Sequence, residues 1–199
     1  LLKGFENGKE PPFVFSPAPL LSCKLAEALR RWIGEVVEPN AKKHLQTSIA
    51  RAGTLSAYKC RPRYDDPAQR MSQHAYANAL DVSEFVTVTG ERISVQDDWN
   101  DKGERSAFLH AIHDGACAIF GTTLGPEANG SHRNHFHLDM KERRQPLCDF
   151  TPGQLRARQS SRVQPQTPAG ANGETSVQKD ESKSLHRGSA ASDPLKNSR

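Results

Sequence analysis

Apolar residues recur at three- and four-residue steps in two parts of the chain, and this spacing predicts two amphipathic helices. The first follows Ser22, a suitable N-cap, and continues towards Pro39. We expect the proline to interrupt this helix before a further helical turn over residues 41–45. The second helix is predicted over residues 104–120 and should end at Gly121.

Extended segments are predicted between and after these helices. Residues 47–52 and 56–61, separated by Gly53, have the pattern of a β-hairpin. A longer strand is predicted to begin near Ala79, where apolar and polar side chains start to alternate. Gly90 then turns the chain into a partner strand.

The two ends of the chain lack such periodicity. Residues 1–16 are predicted to form an extended N-terminal arm, because prolines recur there without a helical period. Residues 151–199 are rich in Gln, Ser, Pro, Gly, Lys and Arg and have few large apolar side chains. They cannot bury enough apolar surface to offset their chain entropy, so we predict a disordered polar tail. One folded domain is therefore expected over residues 17–150.

Composition narrows the possible functions. The formal net charge is +4 and the isoelectric point is near 8.9, but acidic residues are interspersed with the basic ones. A nucleic-acid-binding domain usually has a concentrated basic face, so we expect no nucleic-acid partner. Loose attraction to an anionic surface, such as a bacterial envelope polymer, fits the charge.

The sequence has no run of about 20 apolar residues that could span a bilayer, and therefore no transmembrane segment is expected. No signal peptide is visible either; the chain opens at Leu1 and not at Met, so its absence says little about the compartment.

The cysteines indicate an oxidising compartment. They are widely spaced and form no Cys-x-x-Cys pair of the zinc-knuckle type: Cys23, Cys60, Cys117 and Cys148. An even, dispersed set in a domain of this size fits two disulfides. Of the three possible pairings we favour Cys23–Cys60 and Cys117–Cys148, since each would join a peripheral helix to the extended segment that follows it. The alternative is a set of buried free thiols in a cytosolic protein.

The segment SHRNHFHLDM, residues 131–140, holds three histidines close together: His132, His135 and His137. Residues two apart on a strand share a face, so His135 and His137 would point in the same direction. Asp139 would point with them, as a partner that orients a ligand. Two imidazoles that converge in this way indicate a metal site or an acid–base site.

His74 and Asp81 are a second pair of candidate groups. With His74 on a polar loop and Asp81 at the start of the following strand, both could point into one pocket with a histidine of the later segment. Three protein ligands and an open fourth position are what a catalytic zinc site needs. His110 and His113, one helical turn apart, have no third ligand nearby in the sequence, so we expect them at the surface.

A resemblance to the zinc peptidases that act on peptidoglycan peptides rests on the pattern Ser72-x-His74-x-x-Ala77-x-Ala79-x-Asp81, followed by His135-x-His137. That superfamily contains D-Ala-D-Ala carboxypeptidases and dipeptidases, murein endopeptidases and the Hedgehog signalling domain. A closer resemblance, to the bacterial extensin-like C-terminal domain family, rests on SCKLAEALRRW, AYKCRPR, SQHAYANALDVSEF, ACAIFGTTLGPEANGSHRNHFHLDM and the late Cys148. It implies a small α+β domain in which an antiparallel sheet carries the ligands and helices flank it.

The resemblance further implies that His74, Asp81 and His137 bind Zn²⁺. Two positions depart from the pattern of the family. A residue between the first two ligands is usually glycine and is Ala77 here, which would alter the loop slightly. Many relatives carry an acidic residue that acts as the base three positions before the last ligand, and here that position is Asn134, whose amide cannot accept the proton.

The proton would then be handled by His135 or His132, because extra histidines with this spacing lie beside the metal in murein endopeptidases of the superfamily. Arg61 and Ser72 are the expected substrate-binding residues. An arginine before the first ligand often binds the substrate carboxylate in this superfamily, and the guanidinium fork suits that role. A structural salt bridge is the alternative role for Arg61.

Together these features predict a monomeric, zinc-dependent hydrolase of peptide bonds in bacterial peptidoglycan, of endopeptidase or carboxypeptidase type, in the periplasm or cell envelope. The alternative is a metal-containing wall-binding module without turnover, which Asn134 would allow. A third hypothesis, a histidine–metal nuclease, requires a helix after the histidine strand. The sequence has a proline and a cysteine there instead.

Overall fold

The computed structural model describes residues 1–7 and 10–149 of the 199-residue chain. The predicted disordered tail, residues 151–199, lies outside the described residues. Within the described part the predicted α+β class is confirmed: helices pack on one sheet.

The sheet has its strands in the order β1-β2-β3-β4-β7-β6-β8, and β5 pairs with β4 beside this path. Their bounds are β1 Gly4–Asn7, β2 Glu10–Ser16, β3 Ile49–Ser56, β4 Ala79–Thr87, β5 Arg92–Ser94, β6 Thr122–Leu124, β7 Phe136–Asp139 and β8 Leu147–Cys148. Most neighbours are antiparallel, but β2 with β3 and β6 with β8 are parallel. The sheet is therefore mixed, whereas an antiparallel sheet was expected.

The α-helices are α1 Cys23–Trp32, α2 Glu38–His44, α3 Val95–Asp98 and α4 Glu104–Ala116. Helix α1 begins as predicted, because the hydroxyl of Ser22 accepts the N–H of Leu25. Pro39 lies in the first turn of α2. The predicted break does not occur, because a π-helical segment, Ile33–Val37, directly precedes α2 and joins it to α1. None of the helices in the described ranges is long and apolar enough to cross a bilayer.

The core lies between the sheet and helices α1 and α4, with Trp32 at its centre. The Trp32 ring packs edge-on against Phe85 of β4 and Phe120 after α4, each with a centroid distance of 6.0 Å. The indole N–H is satisfied by the carbonyl of Ile112, at 2.9 Å. The core therefore fixes how α4 lies on the sheet.

The N-terminal segment is extended, as predicted, but it is part of the domain and not a separate arm. Strand β2 pairs with β3. Its alternate side chains Phe13 and Phe15 are buried in the core, in edge-on contact with a centroid distance of 5.1 Å. These two phenylalanines explain why the domain begins before residue 17.

The hairpin predicted around Gly53 is wrong, because residues Ile49–Ser56 form the single strand β3. A Cβ at Gly53 would lie 2.4 Å from Cγ of Glu84 on β4. The glycine therefore permits a close approach of two strands and does not form a turn. The pairing register shifts directly after Gly53, as expected where a strand is bulged.

The disulfide prediction is confirmed for one pair. Cys117, which follows α4, is bonded to Cys148 in β8. Cys23 and Cys60 are free cysteines in the structure, so the pairing Cys23–Cys60 is not formed. Both side chains are exposed to solvent, the first at the start of α1 and the second in the loop after β3.

The expectation that His113 lies at the surface is wrong. Helix α4 buries it against Trp99 and leaves it 2% exposed. Its Nε2 lies 3.2 Å from Oδ2 of Asp149, whose Oδ1 accepts the N–H of Gly125 at 2.7 Å. Burial lowers the pKa of His113, but the carboxylates of Asp114 and Asp149 outweigh burial and raise it above its ordinary value. A buried ion pair thus joins α4 to the end of the domain.

Replacing Asp149 by Asn should destabilise the domain. The amide oxygen can still accept the N–H of Gly125, but the charge facing His113 is lost, and removing one partner of a buried pair costs about 3 kcal/mol. Because the folded state raises the pKa of His113, the stabilisation is complete below the unfolded-state value of about 6.5 and is lost as the pH rises through the folded-state pKa. Urea unfolding from about pH 5.5 to about pH 9 should therefore show the largest loss at the acid end.

Asp114→Asn is the matched control for this experiment. Its carboxylate lies 3.7 Å from Nδ1 of His113 and its side chain is 31% exposed, so a smaller loss is expected. Equal losses in the two variants, or a loss in Asp149→Asn that grows with pH, would contradict the ion-pair account.

Candidate metal centre

Strands β4 and β7 bring two predicted metal ligands together. Asp81 and His137 are direct partners in the antiparallel register, so their side chains project from the same face of the sheet. Oδ1 of Asp81 and Nδ1 of His137 are 2.9 Å apart. The pairing of β4 with β7 is therefore enough to bring the carboxylate and the imidazole together.

The third predicted ligand, His74, is placed by a short 3₁₀-helix, Gln73–Tyr76, just before β4. Ser72 caps this helix, since its hydroxyl accepts the N–H of His74 at 3.3 Å. Ala77 ends it in the left-handed region, with φ of 53° and ψ of 27°. This is the position at which the family resemblance implies glycine, and the backbone conformation explains why glycine suits it.

One ligand atom from each of the three residues lies within 4.8 Å of the other two. Nε2 of His74 lies 3.3 Å from Oδ2 of Asp81 and 3.3 Å from Nδ1 of His137. A four-coordinate zinc ion with bonds of about 2.0–2.2 Å places its ligand atoms about 3.3–3.6 Å apart, along the edges of a tetrahedron. The two contacts of His74 thus match the spacing that one zinc ion requires, and the contact of 2.9 Å between Asp81 and His137 is shorter.

Each histidine is held in place at its other ring nitrogen. Nδ1 of His74 donates to the carbonyl of Ala57, next to the end of β3. Nε2 of His137 faces Oδ2 of Asp139 at 3.2 Å, the contact that the sequence predicts for Asp139. Metal-binding histidines usually donate their second N–H to a backbone carbonyl or a carboxylate, which fixes the ring orientation. Both imidazoles are oriented in this way.

Buried carboxylates make this point favourable for positive charge. Burial raises the pKa of Asp81, but the hydrogen bonds from His137 and His74 outweigh burial and hold the pKa well below its ordinary value. Burial lowers the pKa of His137, while Asp139 and Asp81 raise it, to about 9. Carboxylates that keep a proton on a buried imidazole would also stabilise a divalent cation in its place.

His135, directly before β7, lies beside the three ligands. It is 8% exposed, and its Nε2 is 3.7 Å from Oδ1 of Asp81. Its Nδ1 bonds to the side-chain oxygen of Asn134 at 2.8 Å. An amide oxygen can only accept, so the proton lies on Nδ1 and Nε2 is left free to accept one. Burial also lowers the pKa of His135, which keeps the ring neutral at pH 7.

His132 lies further from the ligands, at the end of the 3₁₀-helix Gly130–His132. Its ring centroid is 5.2 Å from that of His135 and 5.8 Å from that of His137. Its Nδ1 bonds to the side-chain oxygen of Asn129 at 2.8 Å. Burial, reinforced by the neighbouring histidines, lowers the pKa of His132 to about 4. His132 is thus a second neutral imidazole at the edge of the centre.

The histidines and the ligands line a cleft of about 680 Å³. Arg61 and Ser72, the expected substrate-binding residues, line it too. Nη1 of Arg61 donates to the carbonyl of Pro62, and its Nε lies 3.7 Å from Asp65, so part of the guanidinium has a structural role. The hydroxyl of Ser72 is occupied by the N–H of His74, which makes capping the contact that the structure shows for it.

A second set of possible ligand atoms is made by His113, Cys117 and Cys148. The two sulfurs are joined in a disulfide, and a sulfur so bonded is not the thiolate that binds metals. Among the described residues, His74, Asp81 and His137 therefore form the candidate metal centre.

Comparison with known families identifies the family of the chain. Residues 7–149 match the family described as Extensin-like protein C-terminus. The chain belongs to this family. No curated protein and no solved structure shows a significant match. The match to the extensin-like domain begins at residue 7, ahead of the predicted boundary at 17, and so includes the buried strand β2.

We expect the extensin-like domain to bind one equivalent of Zn²⁺ through His74, Asp81 and His137. Asp81→Ala and His137→Ala should each lose the bound metal, which inductively coupled plasma spectrometry after dialysis would detect. His110→Ala is the control that should keep it, because His110 stacks on Trp99 and does not line the cleft. Full zinc binding by His137→Ala would contradict the ligand assignment.

Ala77→Gly should leave the domain equally stable or stabilise it by up to about 1 kcal/mol. A left-handed conformation costs an L-residue roughly 1–2 kcal/mol, and the extra chain entropy of glycine offsets about half of that gain. Ala75→Gly, in the same 3₁₀-helix but with an ordinary backbone, should instead destabilise it. Thermal unfolding compares the two variants, and a larger loss in Ala77→Gly than in Ala75→Gly would contradict the account.

Proposed function

We propose that the extensin-like domain is a zinc-dependent hydrolase of peptide bonds in bacterial peptidoglycan. The observation that carries this proposal is the convergence of His74, Asp81 and His137 beside an imidazole with a free acceptor nitrogen, that of His135. The pattern of these residues also resembles that of the zinc peptidases of peptidoglycan, as the sequence indicates. An endopeptidase and a carboxypeptidase are equally compatible with the centre.

His74, Asp81 and His137 would hold a zinc ion, which would supply a Lewis acid that acidifies water and polarises a peptide carbonyl. Asp139 and the carbonyl of Ala57 keep the two imidazoles aligned. Three protein ligands are typical of a catalytic zinc site, whereas a structural site has four, and this supports the proposal.

His135 is the residue that we assign to proton transfer. Its Nε2 faces the ligand set, and Asn134 keeps the proton on Nδ1, so Nε2 can accept a proton from water and return it to the leaving amine. The asparagine that looks like a missing base in the sequence would then act by orienting the base. His132 lies next to His135 and is the alternative acceptor.

Arg61 is the residue that we assign to the substrate carboxylate. It lines the same cleft as the ligands, and a guanidinium can bind a carboxylate with two parallel hydrogen bonds. The contact with Asp65 is long, at 3.7 Å, and the Asp65 side chain is 69% exposed. Solvent screens the exposed Asp65 carboxylate, so the pair contributes little and a substrate carboxylate could displace it.

We further propose a periplasmic or cell-envelope location. The disulfide between Cys117 and Cys148 fits an oxidising compartment, because such bonds are rare in the reducing cytosol. Peptidoglycan is present in that compartment, so the substrate and the redox state point to the same location.

The proposal predicts zinc-dependent release of fragments from purified peptidoglycan. His135→Gln should keep the bound zinc and lower the rate by roughly 10²–10⁴-fold, the range for loss of a general acid–base group. His132→Gln should lower it much less. Fragments separated by liquid chromatography and mass spectrometry provide the measurement and identify the bond that is cut.

His137→Ala is the negative control for this assay, since it should lose both zinc and activity. Zinc-bound protein that releases no fragment from peptidoglycan, yet sediments with it, would support a wall-binding module without turnover. An unchanged rate in His135→Gln would overturn the assignment of the proton acceptor.

A further inference from the structure

The cleft has a cationic side that the proposed chemistry does not use. Arg63 and Arg143 line the same cleft as His74 and His137. Arg63 lies in the loop between β3 and β4, and Arg143 lies in the loop between β7 and β8. Two loops that are distant in sequence therefore bring guanidinium groups to one opening.

Backbone and side-chain contacts hold these groups in position. The N–H of Arg63 donates to the carbonyl of Arg70 at 3.0 Å, and an isolated bridge between Pro62 and Met71 closes the same loop. Two further cations flank these arginines without lining the cleft: the backbone of Arg70 is bonded to that of Arg63, and Lys141 is two residues before Arg143. We call Arg63, Arg70, Lys141 and Arg143 the cation cluster.

The cation cluster is connected to the metal centre through the sheet. Nε of Arg143 donates to Oγ1 of Thr122 at 3.0 Å. Thr122 is the direct partner of Asp139 in the pairing of β6 with β7, and Asp139 holds His137. Arg143 is therefore fixed one strand away from the ligands, with its terminal nitrogens outside this hydrogen bond.

Within the described residues, no carboxylate lies within ion-pair distance of any member of the cluster. The nearby acids contact other groups: Glu142 pairs with Lys24 at 3.0 Å, Asp65 faces Arg61, and Asp139 faces His137. Arg63 is the largest cause of a lowered pKa at Lys141, followed by partial burial and by Arg143. Arg63 and Arg143 thus have no carboxylate at ion-pair distance among the described residues, although Asp65, Asp81, Asp139 and Asp149 line the same cleft. Their guanidinium groups are therefore available to an anionic group of a ligand.

We propose that the cation cluster binds a second carboxylate of the substrate, separate from the one assigned to Arg61. The substrate class would be a peptide with a free side-chain carboxylate, as in stem peptides that contain diaminopimelate, in preference to one whose carboxylate is amidated. This inference rests on the proposed function. Two guanidinium groups, one from each loop, can donate several hydrogen bonds to the oxygens of one carboxylate.

Binding measurements test this without relying on turnover. Full-length, zinc-loaded protein carrying His135→Gln is titrated calorimetrically with a diaminopimelate tetrapeptide and with the same peptide amidated at the side-chain carboxylate. The free acid should bind about tenfold more tightly, the lower end for charge-assisted hydrogen bonds because the cluster is partly exposed. The preference should shrink as salt is raised.

Arg63→Gln combined with Arg143→Gln should abolish the preference and leave zinc content unchanged. Arg144→Gln is the matched control: it removes one neighbouring cation that does not line the cleft, and the preference should remain. Equal affinity of the parent protein for the two peptides, no binding of either peptide, or a preference that survives the double substitution would each overturn the inference. Tighter binding of a phosphate polymer at the same arginines would overturn the carboxylate assignment.

The outcome is distinguishable from failure of the proposed function. If the parent protein with His135 intact cuts peptidoglycan but the peptides bind equally, only the second carboxylate site is wrong. If it cuts nothing but the free acid binds preferentially through Arg63 and Arg143, the hydrolase proposal is wrong and the anion site stands.

Discussion

The register between β4 and β7 is the constraint on which the candidate centre depends. It places Asp81 directly opposite His137, and a shift by one residue would turn every side chain of one strand to the other face. Burial of Phe136 and Leu138 on the core side secures this register, because a slip would expose both. The hydrophobic core of the extensin-like domain and the geometry of its candidate metal centre are therefore specified by the same strand pairing.

Buried carboxylates that pair with imidazoles are the second organising feature, and they occur at two sites. Asp81 and Asp139 flank His137, and Asp149 faces His113 at the other end of the same region. Each carboxylate is buried beside an imidazole, and this pairing offsets the free-energy cost of removing a charged group from water. At the first site the imidazole lines the cleft, and a metal ion could take the place of its proton. At the second site Asp149 lines the cleft but His113 does not, and the pair joins helix α4 to the segment after β8.

The sequence predicts the helices and the long strand, because periodic apolar patterns are local signals. The resemblance to a family, and not a local signal, singles out His74, Asp81 and His137, which the structure brings together. The sequence does not predict contacts made across long separations. Gly53 is predicted to form a turn because its contact with Glu84, on another strand, cannot be read from the sequence. His113 is predicted to be exposed for the same reason, since its partner Asp149 is distant in sequence. Asn134 is a similar case: its hydrogen bond to His135 gives it a role that residue type alone does not suggest.

X-ray absorption at the zinc edge of the purified domain tests the central claim most directly. The account predicts only nitrogen and oxygen ligands at about 2.0–2.2 Å, with the scattering of two imidazoles and no sulfur. Sulfur ligands at about 2.3 Å would place the metal at the cysteines instead. Either that result or the absence of bound zinc would contradict a centre built from His74, Asp81 and His137.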